Sequence, residues 1–255
     1  MTPLFRGLSI SVMVGMLSSV LVCSDALGEE AAPREARSMA RGLYLGAFGG
    51  GGVSDNDDLA QRGTAFSSGG PISVNAVGNA NADTATIGGL HVGYEWPEWR
   101  LGKEGSGWGL LPAAELEGYY LGSTQSGQLT SNDTINRRFN VSLPMDMGVF
   151  LTNAVLNFHT PYKVHPYIGG GAGAAFVSIS GADSLQVNTP EPGINHFNSN
   201  PNASSWSFAA QAKTGFRAEI DERWSLFAEY RFLYIAPTEY TFGATEYSTH
   251  IPTTQ

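Results

Sequence analysis

Apolar and polar residues alternate with a period of two through seven stretches, at 42–53, 86–96, 109–121, 145–158, 165–179, 206–220 and 224–235. Period-two alternation is the strand signal, and lengths of about 10 to 15 residues suit a tilted strand that crosses a membrane. The last two stretches make the pattern plainest. One face of 206–220 carries Trp206, Phe208, Ala210, Ala212, Phe216, Ala218 and Ile220, and the other carries Ser207, Gln211, Lys213, Arg217 and Glu219. After a tight turn at 221–223, Trp224, Leu226, Ala228, Tyr230, Phe232 and Tyr234 continue one face. Ser225, Glu229 and Arg231 continue the other, interrupted by Phe227 and Leu233. A helical wheel scatters both sets, so the pair reads as a hairpin.

Periodicity alone does not say which face is wet. A soluble sandwich would bury the apolar face, whereas a membrane barrel turns it to lipid and fills its lumen with the polar one. Strand length favours the barrel, since soluble strands average about five or six residues. So do the aromatic residues near strand ends, Tyr94, Trp96, Trp108, Tyr119, Tyr120, Tyr167, Trp206, Trp224 and Tyr234, which suit a membrane interface. The connections at 54–85, 122–144 and 180–205 are long and those at 97–108, 159–164 and 221–223 shorter, as in a bacterial barrel whose long loops lie outside the cell.

The N-terminus adds export. Arg6 precedes an apolar run at 8–22, and Ala26-Leu27-Gly28 supplies small residues for cleavage after Gly28, the layout of a signal peptide. Residues 29–40 read as a linker and 41–255 as one barrel domain. Cys23, the sole cysteine, falls in the leader, so the mature chain has no thiolate site or disulfide; a lipoprotein reading through it is disfavoured by the bulky Val22. The net charge of −9 argues against nucleic acid, which needs clustered Lys and Arg.

Four segments resemble the opacity-type outer-membrane β-barrel family, which includes OmpA-like eight-stranded barrels. They are Gly42-Leu43-Tyr44-Leu45-Gly46-Ala47-Phe48-Gly49-Gly50-Gly51, Gly88-Gly89-Leu90-His91-Val92-Gly93-Tyr94-Glu95, His165-Pro166-Tyr167-Ile168-Gly169-Gly170-Gly171-Ala172-Gly173 and Ala228-Glu229-Tyr230-Arg231-Phe232. The resemblance implies an all-β, antiparallel, up-and-down transmembrane barrel of eight strands, the last ending in an aromatic residue. The chain instead ends in the polar segment 249–255 containing Pro252. Either an eighth strand hides near 240–247 or 64–78, or a C-terminal strand is missing; the second is the favoured expectation.

Inward positions carry His91, Glu95, Glu115, Glu117, Lys213, Arg217, Glu219, Glu229 and Arg231. Eight strands enclose only enough space for side chains, so these charges read as a packed salt-bridge network, with an ion-selecting constriction as the alternative. Glu115 and Glu117 point the same way, as acid/base pairs do, but lumen acids facing Lys213 or Arg231 are the commoner case. His159, His165, His196 and His250 lie in turns or loops with no Ser–His arrangement, and no enzyme is expected. Asp55-Asn56-Asp57-Asp58 lacks the spacing of a calcium loop. The glycine runs lack the Lys-Ser or Lys-Thr of a phosphate loop. No cofactor or metal is expected.

These readings converge on a non-enzymatic outer-membrane barrel that uses long loops for surface interaction or adhesion. Its partners would be membrane lipid and lipopolysaccharide, the barrel assembly machinery and a surface or host ligand. A narrow porin-like channel and a soluble exported β-sandwich are the alternatives.

Overall fold

In the computed structural model, residues 4–15, 19–22, 42–54, 58–67, 70–102, 107–132, 136–188, 190–221 and 223–243 are described. They contain thirteen strands and no helix: β1 Leu4–Gly15, β2 Ser19–Val22, β3 Gly42–Ser54, β4 Asp58–Ser67, β5 Gly70–Ala80, β6 Thr84–Glu95, β7 Trp99–Leu101, β8 Trp108–Ser131, β9 Arg138–His159, β10 Val164–Ile179, β11 Asp183–Gln186, β12 Ala203–Glu219 and β13 Trp224–Thr241. Every ladder is antiparallel. No helix among the described residues is long and apolar enough to span a membrane, which says nothing of crossing by strands.

The wall runs β3-β6-β8-β9-β10-β12-β13, and these seven strands coincide with the seven alternating stretches of the sequence. An up-and-down meander with an odd number of strands ends with its first and last members running the same way. They cannot pair antiparallel with each other. In the structure β1 and β2 stand between them. β1 pairs with β13 along Leu4–Gly15 and with β3 across Val12–Gly15, and β2 pairs with both lower down. The expected eighth strand thus comes from the N-terminal stretch, in the segment that the sequence reading assigns to a leader. The segments 29–40 and 244–255 lie outside the described residues.

The long connections need correction. Residues 58–80 form a hairpin, β4 and β5, whose outer strand pairs with the upper end of β8. Its residues 64–78 do not close the barrel. The expected loop at 122–144 is mostly strand, because β8 and β9 stay paired from Thr130 and Arg138 downward. At about 3.3 Å per residue and a tilt near 40°, the 24 residues of β8 rise roughly 60 Å, about twice the hydrocarbon thickness of a bilayer. In the loop at 180–205, β11 pairs with β9, and a chain of turns follows.

The polarity of the wall reverses along its height. In the upper half of β9 the buried residues are Phe139, Val141, Leu143, Met145 and Met147, and those facing out include Arg138, Asn140, Ser142 and Asp146. Below Gly148 the outward residues become Phe150, Thr152, Ala154 and Leu156, while Asn153 and Asn157 turn inward. Leu116 and Phe150 are 60% and 57% exposed, and the outward face of β12 from Trp206 to Ala218 carries no charged residue. Twelve steps of about 3.3 Å at that tilt make this band roughly 30 Å tall, the thickness of a hydrocarbon core. The lower half is therefore built as a membrane barrel and the upper half as a water-facing one with an apolar core. This excludes the soluble sandwich, whose outer face would be polar throughout.

The reversal is marked by aromatic residues. Tyr120, Gly148, Phe176 and Trp206 lie side by side across four strands, and the Phe176 and Trp206 rings are 5.1 Å apart. Tyr94 and Trp96, 5.6 Å apart, and Trp224 mark the lower edge. Tyr119 and Tyr167 do not belong to these girdles, being 5% and 6% exposed and turned into the lumen.

Candidate functional site

Odd-numbered residues of β8 and β12, odd-numbered residues of β13 up to Ile235 and even-numbered residues of β3 face the lumen. Strand alternation therefore aims Tyr44, Glu115, Glu117, Lys213, Glu229 and Arg231 at one another. Lys213 Nζ donates to Glu115 Oε2 at 2.5 Å and lies 3.6 and 3.7 Å from Glu229 and Glu117. Arg231 bridges Glu117 and Glu229, with its two terminal nitrogens 2.5 Å from each. These five side chains form one network, and Arg231 is fully buried within it. Bringing ions out of water is costly unless each lone pair and proton finds a partner, and neutral groups complete the set. The Tyr44 hydroxyl donates to Glu115 at 2.7 Å and that of Tyr167 to Glu229 at 3.0 Å. Asn153 and Gln211 amides both donate to Glu117 at 2.7 Å. The Arg231 guanidinium also lies over the Phe48 and Tyr119 rings, 4.5 and 5.0 Å from their centroids, adding cation–π attraction.

Two glycines make room for this set. A Cβ on Gly93 would overlap the Tyr44 ring, and one on Gly171 would overlap the Asn153 side chain. Close backbone approach in a narrow lumen is what glycine in a strand permits.

The other inward residues take different places. Glu95 faces Arg217 at 3.6 Å and accepts from Asn157 at 3.1 Å, beneath the main network. His91 stays outside the ion pairs: its ring packs among Tyr44, Phe48 and Phe227, and its buried Nδ1 has no hydrogen-bond partner. Glu219 sits at the lower mouth, its side chain 37% exposed and 3.8 Å from His165. Together the network and the Glu95–Arg217 pair hold four carboxylates against three cations.

His159 and His165 have partners, though neither of these is a serine. His159 Nδ1 lies 2.8 Å from Glu98, the Thr160 amide donates to His165 Nδ1, and the rings are 5.3 Å apart. They close the lower mouth where β9 turns into β10. His196 lies in the upper loop against Phe139 and near Glu191; burial lowers its pKa, a change partly opposed by Glu191. His250 and Asp55, Asn56 and Asp57 lie outside the described residues, and Asp58 accepts from Asn79. Among the described residues no group of three His, Cys, Asp or Glu is placed to hold a metal ion.

Above the network the lumen is mostly apolar, with Ser123 and Gln125 of β8 buried among the apolar side chains. Leu121, Met147, Val149, Val177, Leu233 and Ile235 are at most 1% exposed. Over them the 180–202 loop sends in Phe197, whose ring stacks on Phe242 at 4.6 Å. Sequence reading missed Tyr44, Tyr119 and Tyr167 as lumen residues. Only counting alternate positions outward from Leu43 and Leu45, or from Glu115 and Glu117, would have found the first two.

A comparison with protein families found no match, and neither did one with curated proteins. Among solved structures the chain is similar to the crystal structure of the outer membrane protease OmpT from Escherichia coli, at 10% identity and a TM-score of 0.29, covering 94% of this chain and 97% of that one. The opacity-type family is not shown by these comparisons; what the structure itself shows is an all-β, antiparallel, up-and-down architecture. The expectation that the chain is not an enzyme is withdrawn on this finding, because the similar structure is a protease. At this identity and TM-score the likeness carries no activity to the present chain either.

Proposed function

We propose that this chain is an outer-membrane surface protein, of the opacity type in outline, whose sealed barrel carries a rigid β-extension that meets ligands outside the cell. One observation carries the reading: the polarity reversal at Tyr120 and Gly148, which gives a single set of strands a lipid-facing lower half and a water-facing upper half. The surrounding lipid and lipopolysaccharide contact the lower band, and the barrel assembly machinery inserts it. Surface contacts fall to the β4–β5 hairpin, the β8–β9 tip and the 180–202 loop. The apolar side chains above the ion network disfavour the porin-like alternative.

Cysteine labelling on intact cells tests the reading. Gln128→Cys, exposed near the β8–β9 tip, is expected to react with a membrane-impermeant maleimide. Tyr162→Cys, 73% exposed in a short turn at the opposite end, is expected to react only after lysis. The reverse pattern would invert the orientation, and labelling of both in intact cells would overturn the membrane barrel. In planar bilayers the purified protein is expected to give no unitary conductance steps, and regular steps would revive the channel.

A further inference from the structure

We infer that a cleft on the outer wall, just above the lipid-facing band, is a binding subsite for a hexose ring of the saccharide layer that borders the membrane. The cleft has a volume of about 340 Å³, within the roughly 300–1,000 Å³ of small-ligand sites. It straddles β8, with Asp83 and Thr84 on the β6 side and Asp146 on the β9 side. Its floor is Gly122, whose ladder neighbours are Thr86 and Asp146. A Cβ there would stand 2.8 Å from the Tyr120 hydroxyl, so the missing side chain opens the cleft. Gly122 lies one pleat above the row of Tyr120, Gly148, Phe176 and Trp206 that marks the polarity reversal. The inference rests on the reading that the upper half stands outside the cell, where lipopolysaccharide sugars lie directly over the hydrocarbon.

The polar groups of the cleft are held in place by the protein itself. The Thr84 amide donates to Asp83 Oδ1 at 2.7 Å, and the Asp83 amide donates to Ser54 Oγ at 3.1 Å. The Tyr120 hydroxyl donates to Asp146, while 51% of Tyr120 stays exposed. A carboxylate offers about four acceptor positions, so both aspartates keep capacity for further donors.

The lining selects the ligand class. No lysine or arginine lines the cleft, and two carboxylates repel the phosphates of lipid head groups. An acyl chain would bury both charges against hydrocarbon. Among the described residues no three His, Cys, Asp or Glu are grouped to hold a metal ion. A neutral or amino-bearing sugar meets every condition. Its hydroxyls donate to the carboxylates, the Thr84 and Thr124 hydroxyls pair with its oxygens, and its C–H face rests on the Tyr120 ring. Above the cleft the outward residues of β8, Ser126, Gln128 and Thr130, carry no charge, which suits the rest of an oligosaccharide.

The test uses the full chain in detergent and the core oligosaccharide released by mild acid from the lipopolysaccharide of the producing cells. Binding is read by saturation-transfer NMR and expressed per folded molecule. The folded fraction is the part whose mobility on a denaturing gel shifts between unboiled and boiled samples. The parent is expected to bind. Asp83→Asn combined with Asp146→Asn is expected to weaken binding about tenfold, the size of one lost charge-assisted hydrogen bond. Gly122→Leu, which fills the floor, is expected to abolish it. No binding by the parent, or equal binding by the parent and Gly122→Leu, would overturn the proposal. Binding lost on adding EDTA would put a bridging cation in place of the sugar and overturn it too. A stronger response to lactosamine, a host-type glycan, would overturn the assignment to the membrane's own saccharide. The orientation is judged separately: Gln128→Cys unlabelled on intact cells would sink the surface reading, whereas labelling without saccharide binding would sink only the present inference.

Discussion

Arg231 on β13 and Glu117 on β8 meet across the lumen with 2.5 Å between Nη1 and Oε1, although β6, β3 and β1 stand between them along the wall. The pair is a strut across the barrel. Removing one partner of such a buried pair leaves an uncompensated charge, typically at a cost of about 3–5 kcal/mol. Arg231→Met is therefore expected to lower the temperature at which the unboiled gel form is lost, and Arg231→Met with Glu117→Gln to recover part of it. A single variant as heat-resistant as the parent would show that the strut contributes little.

Lys213 sits among Glu115, Glu117 and Glu229. Lys213→Met leaves three carboxylates around an apolar side chain and is expected to destabilise more than Lys213→Arg, which keeps the charge. Urea unfolding in detergent, followed by tryptophan fluorescence, ranks the two; equal midpoints would count against an electrostatic role.

Phe232 and Leu233 are neighbours with opposite fates, the first 44% exposed on the outer band and the second fully buried. A charge near the middle of the lipid face costs roughly 2–4 kcal/mol in barrels of this kind. Phe232→Arg and Ala228→Arg are expected to reduce the membrane-inserted fraction. Thr241→Arg, exposed above the band, should leave it unchanged. Normal insertion of the first two would contradict the face assignment.

The upper loop should respond to pH through His196. Burial holds its pKa below the ordinary value near 6.5, so the unfolded loop takes up a proton before the folded one does. The group's contribution to stability is complete above that ordinary value and is lost as pH falls through it towards the lower folded value. The protection factors of the 183–200 amides, that is their exchange rates relative to the intrinsic rate at each pH, are expected to fall between pH 7.5 and 5, and His196→Phe to flatten the change. Protection factors that do not change with pH in the parent would exclude this coupling.

Phe197 stacks on Phe242 inside the mouth, and truncating a buried Phe to Ala costs about 3–5 kcal/mol. In Phe197→Ala the 180–202 loop is expected to become a site of limited proteolysis while the gel shift of the barrel survives. An uncut loop would mean that its turns hold without this anchor.

The seven wall strands were legible because their outward and inward faces differ in chemistry, most clearly around Lys213, Arg217, Glu229 and Arg231. The extension was not. From Phe139 to Met147 every second residue is apolar, yet the intervening Asn140, Ser142, Pro144 and Asp146 make the segment resemble a solvated loop. The alternation is intact there, but its meaning has changed sign, since the apolar side now faces inward. Tyr44 was hidden for another reason. Leu43, Leu45 and Ala47 face out, and Tyr44 and Phe48, on the inner side of the same strand, offer no polar contrast. The partners of His159 and His165 could not be read from their own neighbourhood, because Glu98 and Glu219 lie some sixty and fifty residues away along the chain.

The reversal of polarity along β8 and β9 also restricts how this hairpin can change length. Inserting or deleting one residue between Tyr120 and Ser131 would exchange inside and outside for everything beyond it, turning Leu129 out and Gln128 in. Length variation among relatives of this chain should therefore come in steps of two, matched on both strands, or be confined to the tip at 132–137. The hairpin would then diversify its outermost residues freely while its height above the membrane changed only in increments of a full pleat.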